Sequence, residues 1–366
     1  MESPQTIIHT EAAAGWGGQE LRTFTECQWF HKQGWRIVLL AKEGSPIWKN
    51  FNDAGMESIH VDFTKKTQIK DLKRCYSIFE KERPLVVATH SNIDTRVALL
   101  AAKLAGVKHR IRYRHVSIPV KPNPWNKIIY RSLATNIVTT GDCISKPLID
   151  NLKLAPEKVH TIPTGIVPPD DLIERNQARL DVCKQLNLPD NTRFIGQVSV
   201  LRRWKGQKDV MDGFDEIADK HPEHHLIFVG GGHGEEYLPP MAAEKKHKDR
   251  IHFLGHQTNP WPYFRAMDIN LLASTEGEGI PQVGMQSMLC ETPFIGTTIG
   301  GIPEIIEDGV TGLLVAPNNP EQISKAIDKL LSDNNLSAQI AEQAHTWAKK
   351  YTTIDLQAER FLQLIQ

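Results

Sequence analysis

Residues 6–40 read TIIHTEAAAGWGGQELRTFTECQWFHKQGWRIVLL. Thr6–His9 is a short apolar-rich run, and Gly15-Trp16-Gly17-Gly18-Gln19-Glu20 turns the chain into a helical stretch that reaches Gln33. Gly34 can end that helix in the left-handed conformation. Arg36–Leu40 is then apolar enough for a strand covered on both faces. Strand, glycine turn, helix and strand form the unit from which parallel sheets are built. Glycines in such a turn let the backbone approach a ligand, and the helix N-terminus favours an anion by about 0.3–1 kcal/mol. The spacing is not GxGxxG, so the fingerprint of a nicotinamide site is not met.

The alternation continues outward from this stretch. Strands are expected at Ile59–Val61, Leu85–Thr89, Arg110–Tyr113, Ile137–Thr139 and His160–Ile162. Helices are expected over Lys66–Lys81 and from a cap near Asp94 to Ala105, with Gly106 just past its end. Pro163, Pro168 and Pro169 around Gly165 read as a linker. A second series follows at Phe194–Val200, Leu226–Val229, Ile251–Leu254, Ile269–Leu272, Phe294–Gly296 and Leu313–Val315, and the chain is helical from Glu321. The expected architecture is α/β, with two doubly wound, Rossmann-like domains. Its boundaries are 1–165 for an N-terminal domain, 166–192 for a linker and helix, and 193–345 for a C-terminal domain. Residues 346–366 would be helices returning to the first domain.

The 366 residues carry 43 Lys and Arg against 43 Asp and Glu, and this zero net charge weighs against a protein that coats nucleic acid. No apolar run reaches the length of a spanning helix. Met1–Gln5 lacks a basic and apolar leader, and five cysteines without CxxC support neither a disulfide framework nor a zinc site, so a cytoplasmic protein is expected. Seven histidines lie between 221 and 256 without HExxH spacing, so no metal site is expected. From Thr95 to Gly141 there is no acid, but there are nine Lys and Arg, Arg112, Arg114 and Lys121 among them. That run reads as a solvated basic face or as a site for an anionic acceptor or an anionic membrane surface, the second being slightly favoured.

Three further segments carry chemistry. Arg202-Arg203-Trp204-Lys205-Gly206 follows a strand, and forked guanidinium and ammonium groups there suit a diphosphate. Gly230-Gly231-Gly232-His233-Gly234 is either a flexible turn or a loop facing a nucleoside or phosphate. Ser274–Gln282 and Gly300–Glu304 offer carboxylates for sugar hydroxyls and backbone N–H groups near the same ligand.

With these residues in order, the chain resembles the family 4 (group 1) retaining glycosyltransferases. The resemblance rests first on Glu278-Gly279-Ile280-Pro281, Gln286–Pro293 and Gly300-Gly301-Ile302-Pro303-Glu304. It extends to Gly17-Gly18, Thr89-His90-Ser91, Arg114-His115, Pro163-Thr164-Gly165-Ile166 and Arg202…Lys205-Gly206. Two departures stand out: Gln286 occupies the second glutamate position of the family's Glu-x7-Glu, and Val200 occupies the usual arginine position.

The resemblance implies a GT-B fold, with two Rossmann-like domains facing across a cleft, and transfer of a sugar from a nucleoside diphosphate with retention. Arg202 and Lys205 would neutralise the leaving diphosphate, Glu278 would hold the donor hexose, and Gln286 would face the ribose. Gly17, Gly18, Gly232, Gly279, Ile280, Pro281 and Gln282 would complete the donor pocket. His115, Lys205 and Glu278 would be catalytic, while His90, Arg112, Arg114 and Lys121 would serve the acceptor. No cofactor or metal is implied, only a nucleotide-sugar co-substrate, a UDP-sugar before others. The acceptor would be a glycan or lipid-linked glycan, in lipopolysaccharide or surface polysaccharide synthesis, at the inner face of the cell membrane. A nucleotide-sugar epimerase, a phosphorylase and a non-catalytic sugar-nucleotide-binding protein are the alternatives.

Overall fold

The computed structural model describes residues 5–366, so Met1–Pro4, on which part of the leader expectation rests, lie outside it. The chain divides into two compact units. One runs to Gly165 and takes in Thr353–Gln366; the other is Ile166–Thr352.

The first unit is built on seven parallel strands. They are β1 (Thr6–Glu11), β2 (Arg36–Ala41), β3 (Glu57–His60), β4 (Val86–Thr89), β5 (His109–Arg114), β6 (Asn136–Thr139) and β7 (Val159–Thr161). Their order is β3-β2-β1-β4-β5-β6-β7, so the sheet changes direction between β1 and β4. The central strands β1 and β4 are buried on both faces; β4 is apolar up to Thr89, while β1 buries Thr6, His9, Thr10 and Glu11 beside Ile7 and Ile8. Asp94 is not a cap: it lies inside helix Asn92–Leu104 and accepts from Thr10 Oγ1 at 2.6 Å and the His90 N–H at 3.0 Å.

Helix Ile354–Ile365 belongs to this first unit. Phe361 meets Phe30 edge-on with centroids 5.3 Å apart, and Trp29 Nε1 donates to Asp355 at 2.7 Å. Gln357 accepts from the Gly165 N–H and donates to Glu26, which also accepts from Tyr113 Oη.

The second unit holds β8 (Arg193–Val198), β9 (His224–Val229), β10 (Ile251–Phe253), β11 (Met267–Leu272), β12 (Phe294–Thr297) and β13 (Leu313–Val315). Their order is β10-β9-β8-β11-β12-β13, all parallel, with the change of direction between β8 and β11. Two expected boundaries are corrected. Residues 166–192 are part of this unit, because Ala178, Val182 and Cys183 of helix Arg175–Leu186 sit in its core. The return to the first unit falls at Thr353 instead of 346, because helix Asn334–Tyr351 is unbroken and its Ala344 and Ala348 pack on Met288 and Leu289 of the second unit.

Candidate active site

In open parallel sheets the ligand-binding crevice lies outside the carboxyl ends of the strands, where strand order reverses. In the second unit that point is the end of β8 and β11. Gln197, fully buried in β8, donates through Nε2 to Ser199 Oγ and to the Lys205 carbonyl, both at 2.9 Å. Gln207 donates to Ser199 Oγ and the Val200 carbonyl, both at 3.1 Å. Two side-chain amides thus fix the loop that carries Arg202–Lys205.

Gly206 closes that loop with φ +70°, and a Cβ there would lie 1.9 Å from the Ala273 carbonyl oxygen. No side chain fits, so the segment after β11 lies directly against it. Lys205 Nζ then reaches Glu278 Oε2 at 2.7 Å, and Ser274 Oγ donates to the same oxygen at 2.6 Å. Both charged side chains are 10% exposed. The ammonium also lies 4.4 Å from the centre of the Trp204 ring.

A third loop closes on the same carboxylate segment. At Gly300, φ +57°, a Cβ would stand 1.9 Å from the Glu278 carbonyl oxygen. Thr297 Oγ1, at the end of β12, donates to the Ser274 carbonyl at 2.6 Å. Gly279, Ile280 and Gln282 are half-buried and Pro281 is buried as the chain enters helix Gln282–Leu289. Gln286 lies in the second turn, buried, and its side-chain amide makes no hydrogen bond to a described residue. Gly232 has φ +138°, and its loop is zipped to the β8 loop by Leu201 N–H to Gly231 O and Gly234 N–H to Leu201 O, both 2.9 Å. Arg202 and Arg203 are both exposed, and Arg203 lies over the Tyr237 ring at 5.2 Å. Lys205, expected from sequence as a diphosphate-facing cation on the loop after a strand, is a buried member of an ion pair.

The first unit gathers a different set. His9, His90 and His115 come from β1 and from the ends of β4 and β5, which are adjacent strands. His9 Nδ1 and His90 Nε2 are 3.0 Å apart, as are His90 Nδ1 and His115 Nε2. The rings stack with centroids 5.3 Å apart in both pairs, and Tyr113 stacks on His90 at 4.6 Å. Burial drives all three imidazoles toward the neutral form, His9 down to about 3, and the Arg22 and Arg112 cations push His90 and His115 the same way.

Beside them lies the Gly15–Gly18 turn. Gly17 has extended backbone, φ −155°, which any residue adopts, and it stands at the N-terminus of helix Gly18–Lys32. Glu20 in the first turn is pushed up to about 7, by burial first and by the Glu11 carboxylate second. Glu11 accepts from Gln19 Nε2 at 2.6 Å and from Ser91 Oγ.

Arg112 departs from the expectation of an acceptor-facing cation. It is 2% exposed and donates to the Ser91 carbonyl at 3.0 Å and Asn92 Oδ1 at 3.1 Å, so it braces the end of β4. Arg114 is half-buried and donates to the Ile118 carbonyl; Lys121 is exposed. Sequence reasoning missed His9, Thr23, Gln197 and Ser274. Ser274 could have been found from its place four residues before Glu278 at a strand end. Among the described residues one trio, His221, Glu223 and His224, brings three possible metal-ligand atoms within 4.8 Å, but His221 Nε2 is 2.9 Å from Asp328.

Residues 16–168 match the model described as Glycosyltransferase Family 4, and residues 180–347 match the one described as Glycosyl transferases group 1. The chain belongs to the family 4, group 1 glycosyltransferases. This family 4 chain is 26% identical over 345 residues to an uncharacterized glycosyltransferase of Haemophilus influenzae, covering 92% of each. It is 25% identical over 296 residues to a D-inositol 3-phosphate glycosyltransferase of Stackebrandtia nassauensis, covering 73% of this chain and 65% of that one. It spans 48% of a second such enzyme, from Corynebacterium jeikeium. Among solved structures, a glycosyltransferase from Rickettsia africae superposes with TM-score 0.87 at 21% identity, covering 99% and 98% of the two chains. Anabaena HepE in complex with UDP superposes with TM-score 0.82 at 17% identity, covering 99% of each. The family 4 chain thus has the GT-B fold.

Proposed function

We propose that this chain transfers a sugar from a nucleoside diphosphate, UDP before others, to a glycan or lipid-linked glycan, with retention and without a metal. The observation that carries this reading is the convergence of three loops on the Lys205–Glu278 pair at the carboxyl ends of β8 and β11. Cleaving a glycosyl phosphate builds negative charge on the diphosphate and positive charge on the sugar. An ammonium aimed at the first and a carboxylate beside the second stabilise charges that grow in the transition state. Fold neighbours bound to UDP and to UDP-glucose support the donor class. Arg202, exposed on the same loop, supplies a second cation, and the Gln286 amide is available to a ribose hydroxyl. The acceptor hydroxyl loses its proton to the departing phosphate on the same face of the sugar. His115 of the first unit contacts an oxygen of the sugar ligand held by that unit.

A membrane-bound acceptor is favoured by one patch of the first unit. Ile118 and Trp125 are 61% and 60% exposed, and Ile128 is 44% exposed, with Lys121 and Lys127 between them. Exposed apolar side chains interleaved with lysines suit an anionic lipid surface at the inner face of the cell membrane, the setting of lipopolysaccharide or surface polysaccharide synthesis.

The test is nucleotide release from a panel of UDP- and other nucleoside-diphosphate sugars, with and without glycan acceptors and in excess EDTA. Acceptor-dependent release that survives EDTA is expected. Acceptor-independent turnover would favour an epimerase; loss restored by Mg²⁺ would overturn metal independence.

A further inference from the structure

The three histidines of the first unit form a file with a definite direction, set by a threonine. Thr23 Oγ1 donates its one proton to the Gln19 carbonyl at 3.0 Å, the bond one helical turn back. The same oxygen lies 3.2 Å from His90 Nδ1. Having spent its proton, the hydroxyl can only accept there, so His90 Nδ1 carries the hydrogen. That hydrogen points at both Thr23 Oγ1 and His115 Nε2.

The rest follows by exclusion. A neutral imidazole has one N–H, so His90 Nε2 is bare and accepts from His9 Nδ1–H at 3.0 Å. His9 Nε2 is then bare too. It is the one His9 nitrogen buried without a partner, and a bare acceptor is a cheaper orphan than an N–H. At the other end His115 Nε2 accepts, so the hydrogen of His115 sits on Nδ1. His115 is the half-buried member of the file, and its Nδ1 has no hydrogen-bond partner among the described residues.

We propose that Thr23, His90 and His9 are positioning residues that hold His115 in its Nδ1–H tautomer, so that it presents a neutral hydrogen-bond donor to a sugar oxygen and cannot act as a base. Its Nε2 lone pair is occupied by His90, and its Nδ1 already bears a proton. This rests on the reading above that His115 contacts a sugar ligand of the first unit, and it assigns the chemistry of that contact. The ligand group it recognises is an oxygen acceptor, not an N–H or a cation. The stacked Tyr113 ring and the hydrogen bonds at both ends of His90 leave the file little freedom to turn over.

The test needs no activity. Long-range proton–nitrogen correlation spectra of the full chain, labelled at histidine nitrogen and assigned with His115→Gln, read the tautomer directly. His115 should show a protonated Nδ1 and a bare Nε2. A protonated Nε2 in the wild-type protein overturns the proposal, whatever the enzyme transfers. Thr23→Val should mix the two tautomers, and Thr23→Ser should restore one. If transfer is observed, Thr23→Val should lower kcat by about tenfold, the scale of one misdirected neutral hydrogen bond, with rescue by Thr23→Ser. Mixed tautomers with unchanged kcat would overturn the positioning role.

Discussion

Glu278 Oε2 accepts from both Lys205 Nζ and Ser274 Oγ in a setting nearly closed to water. Removing the lysine alone leaves a buried carboxylate uncompensated, which costs about 3–5 kcal/mol. A loss of turnover in Lys205→Ala would therefore mix chemistry with damage, and a neutral pair of similar volume is the cleaner comparison. Glu20 offers a separate residue-scale test. Its carboxyl stands at about 7 in the folded chain, above its ordinary 4.5, because it is buried beside Glu11. The folded state then binds more protons than the unfolded state between those values. Its contribution is full below about 4.5 and is lost as pH rises through about 7. Glutamine can keep the first-turn hydrogen bonds without the charge. Glu20→Gln should be more stable than wild type by about 3 kcal/mol at pH 8 and by about 1 kcal/mol at pH 5. Denaturant unfolding at both pH values checks this; equal gaps would contradict the cause.

At the scale of elements, helix Ile354–Ile365 is held by Phe361, fully buried against Phe30, and by the Gln357 bonds to Gly165 and Glu26. Phe361→Ala should cost about 3–5 kcal/mol, and only in the first unit. Calorimetry should show the transition of one unit lowered and that of the other unmoved; a shift in both would contradict the assignment. Strands such as β2, β4 and β11 were legible in sequence as short apolar runs, helped by helix-ending glycines at Gly34 and Gly106. Their ends were less so: β3 is Glu57–His60, starting two residues and ending one residue before the expected Ile59–Val61. Lys205–Glu278 was legible as two motifs, but their contact was not. It depends on Gly206 lying against Ala273, and no spacing encodes that approach. Arg112 misled because composition gives charge without direction. On β5 it turns back over the end of β4, among carbonyl groups, while Lys121 stays in solvent.

On the scale of the whole molecule, no helix among the described residues is long and apolar enough to cross a membrane. The proposed contact with lipid runs through Ile118, Trp125 and Ile128 with Lys121 and Lys127. Each lysine near an anionic surface contributes about 1 kcal/mol. Lys121→Glu with Lys127→Glu should weaken sedimentation with phosphatidylglycerol vesicles by about tenfold or more, less so as salt rises. Trp125→Ala should weaken it at every salt concentration. Equal binding to phosphatidylcholine vesicles would contradict an electrostatic role for the patch.

In the proposed function the second unit grips a nucleoside diphosphate through its own cation, Lys205. Calorimetric titration of UDP into the full chain in excess EDTA tests it most directly. The comparison is the double variant Lys205→Met, Glu278→Gln, which replaces the buried ion pair with a neutral pair of similar volume. The wild-type chain should bind UDP without metal, and the double variant should bind at least about tenfold more weakly while keeping its melting behaviour. Equal affinity in the two proteins, or no binding to the wild-type chain, would contradict the account.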